Sequence, residues 1–177
     1  METSGSVTPH TATAGPALPE ATEREAKGPG PEPYGPGPRA YEGVWRFTAS
    51  AIEASVPRAR HAVRDLLRRQ GVPAGPDLVQ SLLLIVSELV TNSVRHAAVL
   101  SPELAVEVAV GREWIRISVE DQHPYRPTAL EADHARTGGR GLLLVRELAR
   151  EAGGTCDAER TATGGKVIWA ALPLAPR

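Results

Sequence analysis

One cysteine, Cys156, stands in the whole 177-residue sequence. That excludes an internal disulfide framework and any zinc site built from several cysteines. An excess of one charge is also missing: 20 basic side chains balance 21 acidic ones, for a formal net charge of −1. Such a balance gives no electrostatic ground for binding a nucleic-acid polymer or an anionic membrane surface. No uninterrupted apolar run approaches the ~20 residues that cross a bilayer. The opening stretch METSGSVTPHTATAGPALPE has neither the basic start nor the apolar core of a secretion signal, so a cytoplasmic location is the expectation. Lysine is scarce too, two residues against eighteen arginines, a bias that reads as genome composition and not as chemistry.

Proline and glycine, by contrast, are plentiful, at 16 and 17. They are unevenly spread. Residues 1–40 hold eight of the prolines, with Tyr34 as their one aromatic and Val7 and Leu18 as their only large aliphatics. Such a segment buries too little apolar surface to offset its conformational entropy, so a disordered tail is expected there. Its run GPGPEPYGPGP reads as an extended spacer in preference to a ligand for an aromatic-lined groove. Residues 41–177 are expected to form one domain, a length that supports a real core.

Within that domain helix and strand patterns alternate. Trp45, Phe47 and Ala49 alternate with Arg46 and Thr48, as in a strand. Ala59, Ala62, Val63, Leu66 and Leu67 follow an amphipathic helical spacing, with Ser55 as candidate cap before Pro57 and Gly71 as the stop. A second helix is predicted from about Asp77 to Ala98, with Leu78, Leu82, Ile85 and Leu89 on its apolar face. Leu104–Val110 and Ile115–Val119 read as a hairpin about Gly111-Arg112-Glu113. Residues 122–138 read as a loop. A third helix from about Gly139 to Glu151 ends at Gly153-Gly154, and Thr155–Glu159 and Lys166–Leu172 are predicted strands. The three tryptophans all fall in strands and read as packing or edge residues.

Three polar features interrupt this apolar pattern. On the second helix, Glu88, Asn92 and His96 recur at i, i+4 and i+8 with Arg95 beside them, so they form one stripe. A carboxylate, an amide and two basic groups are costly to bury without partners, so the stripe either faces solvent or lines a polar ligand site. Asp121 closes a strand on the same side as Ile115, Ile117 and Val119. It can accept from an exocyclic amine there, or cap the turn through Gln122-His123-Pro124. Gly138, Gly139 and Gly141 open the third helix with Arg140 among them. Small residues and a helix N-terminus suit phosphate, although tight-turn geometry explains many such clusters. No Walker loop or full dinucleotide fingerprint is present.

Taken together, the order SELVTNSVRHA, VEDQHPYRP, GGRGLLLVRELA and GGKVIWAALP resembles the GHKL-type ATPase domain shared by sensor histidine kinases, Hsp90, type II topoisomerases and MutL. Its compact form is similar to the stand-alone anti-sigma-factor serine kinases and their actinobacterial relatives, over about residues 43–174. The resemblance implies an α+β two-layer sandwich, the Bergerat ATP-binding fold, with a mixed, mostly antiparallel sheet and three helices on one face. It implies ATP and Mg²⁺ as ligands, with Asn92 as the magnesium residue and Glu88 as general base or water-positioning residue. Asp121 matches the aspartate that reads the adenine amino group. Gly139 and Gly141 match the phosphate-contacting glycines, with Arg140 and Leu142 beside them, and Arg95 and His96 lie at the end of the asparagine motif near the phosphates. The implied partners are an anti-sigma-factor antagonist, a sigma factor and a second copy in a homodimer. One departure stands out. Family members often carry a glycine shortly after the adenine-binding aspartate, where this chain has Gln122-His123-Pro124, and the short loop to Gly138 implies a reduced lid.

The leading expectation is therefore an ATP-dependent serine/threonine kinase acting on a small protein. The alternative is a catalytically weak or inactive nucleotide-binding interaction module. A sensor histidine kinase fragment needs a helical hairpin with a phospho-accepting histidine, which the tail before His61 does not supply. A metal site from His96, His123, Asp133 and His134 lacks ligand spacing on any one element.

Overall fold

The computed structural model describes residues 40–124 and 140–174. The proline-rich tail, the loop with Asp133 and His134, and Gly138 and Gly139 lie outside them. The chain order is β1 (Gly43–Ser50), α1 (Ser55–Arg69), α2 (Pro76–Ala97), β2 (Glu103–Val110), β3 (Trp114–Asp121), α3 (Arg140–Glu151), β4 (Thr155–Arg160) and β5 (Lys166–Pro173). The five strands form one sheet in the order β1-β2-β3-β5-β4. Every pairing is antiparallel. The architecture is an α+β sandwich, a five-stranded sheet with three helices, as the resemblance implied, with the sheet antiparallel throughout where a mixed one was expected.

Strand alternation sorts the two faces. Val106, Val108, Ile115, Ile117, Val119, Ile168, Ala170 and Leu172 point to the helical side and are almost fully buried. They meet Val63, Leu67, Leu82, Ile85, Val86, Leu89 and Val145 from the three helices in one core. Each fully buried aliphatic side chain stabilises by about 1.5–3 kcal/mol. The other face is polar. There Arg46 reaches Glu120 at 2.7 Å, the Arg116 guanidinium stacks 4.5 Å from the Trp169 ring centroid, and Trp169 donates to Glu159 at 2.6 Å. Trp45 packs against the core and Trp114 is partly exposed, so the tryptophans do serve packing and edges.

The helix ends show what local sequence controls. α1 stops where Gly71 turns to φ +62°, with Gly71 N–H donating to Arg68 and Val72 N–H to Leu67. α3 ends the same way, with Gly153 N–H donating to Arg150 and Gly154 N–H to Ala149. Ser55 corrects the expectation of a cap. It is the first helical residue, and its buried hydroxyl donates to the Ser50 carbonyl at 2.7 Å, tying α1 to the end of β1. Pro76 opens α2, where its missing N–H costs no helical bond, and Asp77 follows in the first turn.

α2 is the central helix. Its 22 residues include a window of mean hydropathy 1.3, so by length and composition it could cross a membrane. A search for uninterrupted apolar runs overlooks it because Ser87, Glu88 and Asn92 break the sequence. In the fold it packs against α1, α3 and β3. It also carries the stripe that matters for function.

Candidate functional site

The polar stripe descends along α2 from the interior to the surface. Glu88 and Asn92 are half-buried, while Arg95 and His96 are exposed in the last turn. The Glu88 carboxylate lies hard against Gly141 in the first turn of α3. A Cβ at that position would collide with Glu88 Oε2, so only glycine allows the approach. The side-chain nitrogen of Asn92 is buried with no hydrogen-bond partner among the described residues. Such an orphan is costly unless something else meets it. Arg140 is exposed at the start of α3, and Leu142 is buried beneath.

Asp121 sits across the same helix at the end of β3, 2% exposed. Its Oδ2 accepts from the Ser93 hydroxyl at 2.6 Å. Its Oδ1 accepts from Lys166 Nζ at 2.9 Å and from the His123 backbone N–H at 3.0 Å. The turn reading of Asp121 thus holds, since it caps its own turn, and it also anchors a buried polar cluster. Lys166 stands directly opposite it in the β3–β5 register. The approach requires Gly165, since a side chain there would strike the backbone of Asp121 and Gln122.

Ser93 and Lys166 were not singled out by the sequence. Both carried a signal. Ser93 is a hydroxyl on the buried stripe Leu82, Val86, Leu89, Ser93, Ala97, and Lys166 is one of two lysines, in phase with the core residues Ile168, Ala170 and Leu172. Gly139 belongs to the expected phosphate end but falls outside the described residues. No three His, Cys, Asp or Glu side chains come together as a metal cluster among the described residues.

The described arrangement therefore has two parts. A carboxylate meets the start of α3, with an amide nitrogen lacking a described partner one helical turn along α2, and a buried acid–base cluster closes β3. Residues 49–171 match the family profile described as Histidine kinase-like ATPase domain, and the chain belongs to that family. It is an ATP-binding domain of the GHKL type, with ATP as the implied substrate. No curated protein matches the chain. Among solved structures it is similar to the histidine kinase domain of a blue-light activated histidine kinase from Erythrobacter litoralis, at 26% identity and TM-score 0.41, over 55% of this chain. The match covers 48% of that protein, so this chain spans about half of its length. It is also similar to the ATP binding domain of PrrB from Mycobacterium tuberculosis, at 20% identity and TM-score 0.46, covering 73% of this chain and 98% of that one. The catalytic domain of histidine kinase ThkA gives 17% identity and TM-score 0.49, over 75% and 99%.

Proposed function

We propose that the chain is an ATP-dependent protein serine/threonine kinase of the anti-sigma-factor type. In this reading it acts in the cytoplasm as a homodimer, phosphorylates a small antagonist protein and sequesters a sigma factor. The observation that carries the catalytic part is the contact of Glu88 with Gly141, one helical turn from the unmet amide of Asn92. This sets a carboxylate beside the helix start where phosphates are favoured.

An amide oxygen from Asn92, with phosphate oxygens, fits a hard magnesium ion, which prefers oxygen and retains water. When bound, that ion offsets the phosphate charge. The protein's own residues do the rest. Asn92 orients, the first turn of α3 offers backbone N–H groups to phosphate oxygens, and Arg140 adds a positive charge. Glu88 accepts the proton of the attacking serine hydroxyl. The serine oxygen then bonds to the γ-phosphorus as the bond to the ADP oxygen breaks. Arg95 and His96 lie on the exposed last turn of α2, where they can meet phosphates or the protein substrate.

The alternative module without catalysis draws support from the Lys166–Asp121 pair, because the carboxylate assigned to the adenine amine already holds three hydrogen bonds. One assay separates the two readings. With γ-labelled ATP, Mg²⁺ and candidate antagonist proteins, label should move to a serine or threonine, and Glu88→Gln should lower the rate about 10²-fold or more. ATP binding without any transfer, in the unaltered protein, refutes the kinase and leaves the module.

A further inference from the structure

The tryptophans and the proline-rich run have no part in the chemistry above. On the sheet face turned away from the helices, strand register sets Val44, Ala109, Arg116, Ala171 and Thr155 in one row from β1 to β4. Arg116 is the only charge in that row, and its guanidinium leans onto the Trp169 ring. An aromatic stands on either side of the row. Trp169 lies in the next row along, opposite Ser118, and Trp114 lies at the near end of β3, opposite Pro173. Trp114 is 45% exposed, and its indole rests on Gly111 in the hairpin turn. Small side chains between two indoles make a shallow apolar trough, with the ion pairs of Arg46 to Glu107 and Glu120 beyond it.

We propose that this trough is the docking site of the chain's own proline-rich run, GPGPEPYGPGP at residues 28–38. Place, length and chemistry carry the assignment. Pro38 is five residues before Gly43, which opens β1 beside Val44 at the mouth of the row. So short a tether gives a millimolar effective concentration, which populates a contact too weak to hold separate molecules together. From β1 to β5 the row spans three strand spacings, about 14 Å, a distance that about five residues of polyproline helix cover at ~3.1 Å each. Proline-rich chain docks in aromatic-lined grooves at small entropic cost because it is already extended. Pro33 and Pro36, three residues apart, fall on one side of such a helix. The run's only charge is Glu32, opposite in sign to Arg116, the only charge of the row. A plain spacer, the expectation from sequence, needs no such match. The inference is independent of nucleotide binding.

The test is solution NMR of the full chain, uniformly isotope-labelled. Proline Hδ protons of residues 31–38 should show nuclear Overhauser contacts to the indole protons of Trp114 and Trp169. The Pro33→Ser/Pro36→Ser variant changes only residues outside the described fold. It should lose those contacts and move the Trp114 indole N–H resonance. A mixture of labelled and unlabelled chains tells the run of the same molecule from that of another. Absence of the contacts in the unaltered protein overturns the inference, and so do indole resonances identical in the two proteins. Contacts that appear only between differently labelled chains also overturn it, because the run then seats on a second copy.

Discussion

Asp121 shows how a residue's surroundings decide what its substitution means. Its obvious variant, Asp121→Ala, should remove the acceptor for the base, but it also leaves the Lys166 ammonium buried and unpaired. Breaking such a pair from one side costs about 3–5 kcal/mol, so lost ATP binding in that variant should come with a much lower Tm. Pairing it with Lys166→Met should restore most of the stability in thermal melts. Ser93→Ala removes only one bond to the carboxylate and should cost about 1.5–3 kcal/mol in urea denaturation. Gly141→Ala acts differently. The new methyl displaces the flexible Glu88 carboxylate, so Tm should hold nearly steady while phosphoryl transfer falls about 10²-fold. Cys156 supplies a pH test. Burial pushes its thiol above the ordinary range, with Arg146 opposing and Asp157 reinforcing. The folded chain thus keeps this proton at a pH where the unfolded chain has lost it, so the thiol's contribution to stability is fully present below the ordinary thiol range and is lost as pH rises from there through the raised value of the folded state. Alkylation of folded protein near neutral pH should accordingly be slower than that of a free thiol, and a rate equal to the free thiol's would refute the shift.

At the scale of elements, α2 has two tasks. Leu82, Val86 and Leu89 fill the core, while Glu88 and Asn92 on the adjoining flank line the site. Leu89→Ala should therefore cost about 2–5 kcal/mol through transfer and cavity terms together, measured by chemical denaturation. The helical stripe was legible because i, i+4 spacing within one element is a local property. Glu88 and Asn92 could be placed side by side before any tertiary contact was known. The hairpin of β2 and β3 and the glycine stops of α1 and α3 were legible for the same reason. The partnership of Asp121 with Lys166 was not. It depends on the register of two strands 45 residues apart in the chain, and neither strand specifies that register alone. Ser55 failed as a cap because a tertiary acceptor, the Ser50 carbonyl, competes for its hydroxyl. Gly165→Ala tests the register directly: the added methyl meets main chain, which cannot rotate away, so both stability and nucleotide binding should fall.

For the molecule as a whole, fold class was easier to read than site because alternation and amphipathicity are averaged over many residues. The site requires Ser93 from α2, Asp121 from β3 and Lys166 from β5 to converge, and a single misplaced element scatters them. The sheet order adds a further consequence. β5 is the last of the five described strands in chain order but lies inside the sheet, between β3 and β4. While the polypeptide is being synthesised, β3 can pair with β2 long before its other edge is covered. For that interval Ile115, Ile117 and Val119 belong to a strand with an open, apolar edge, a template for pairing with another chain. A nascent chain released after residue 165 should aggregate, whereas one that includes β5 should not. The fifth strand to leave the ribosome thus completes the Asp121 cluster and, in the same step, seals the sheet against its neighbours.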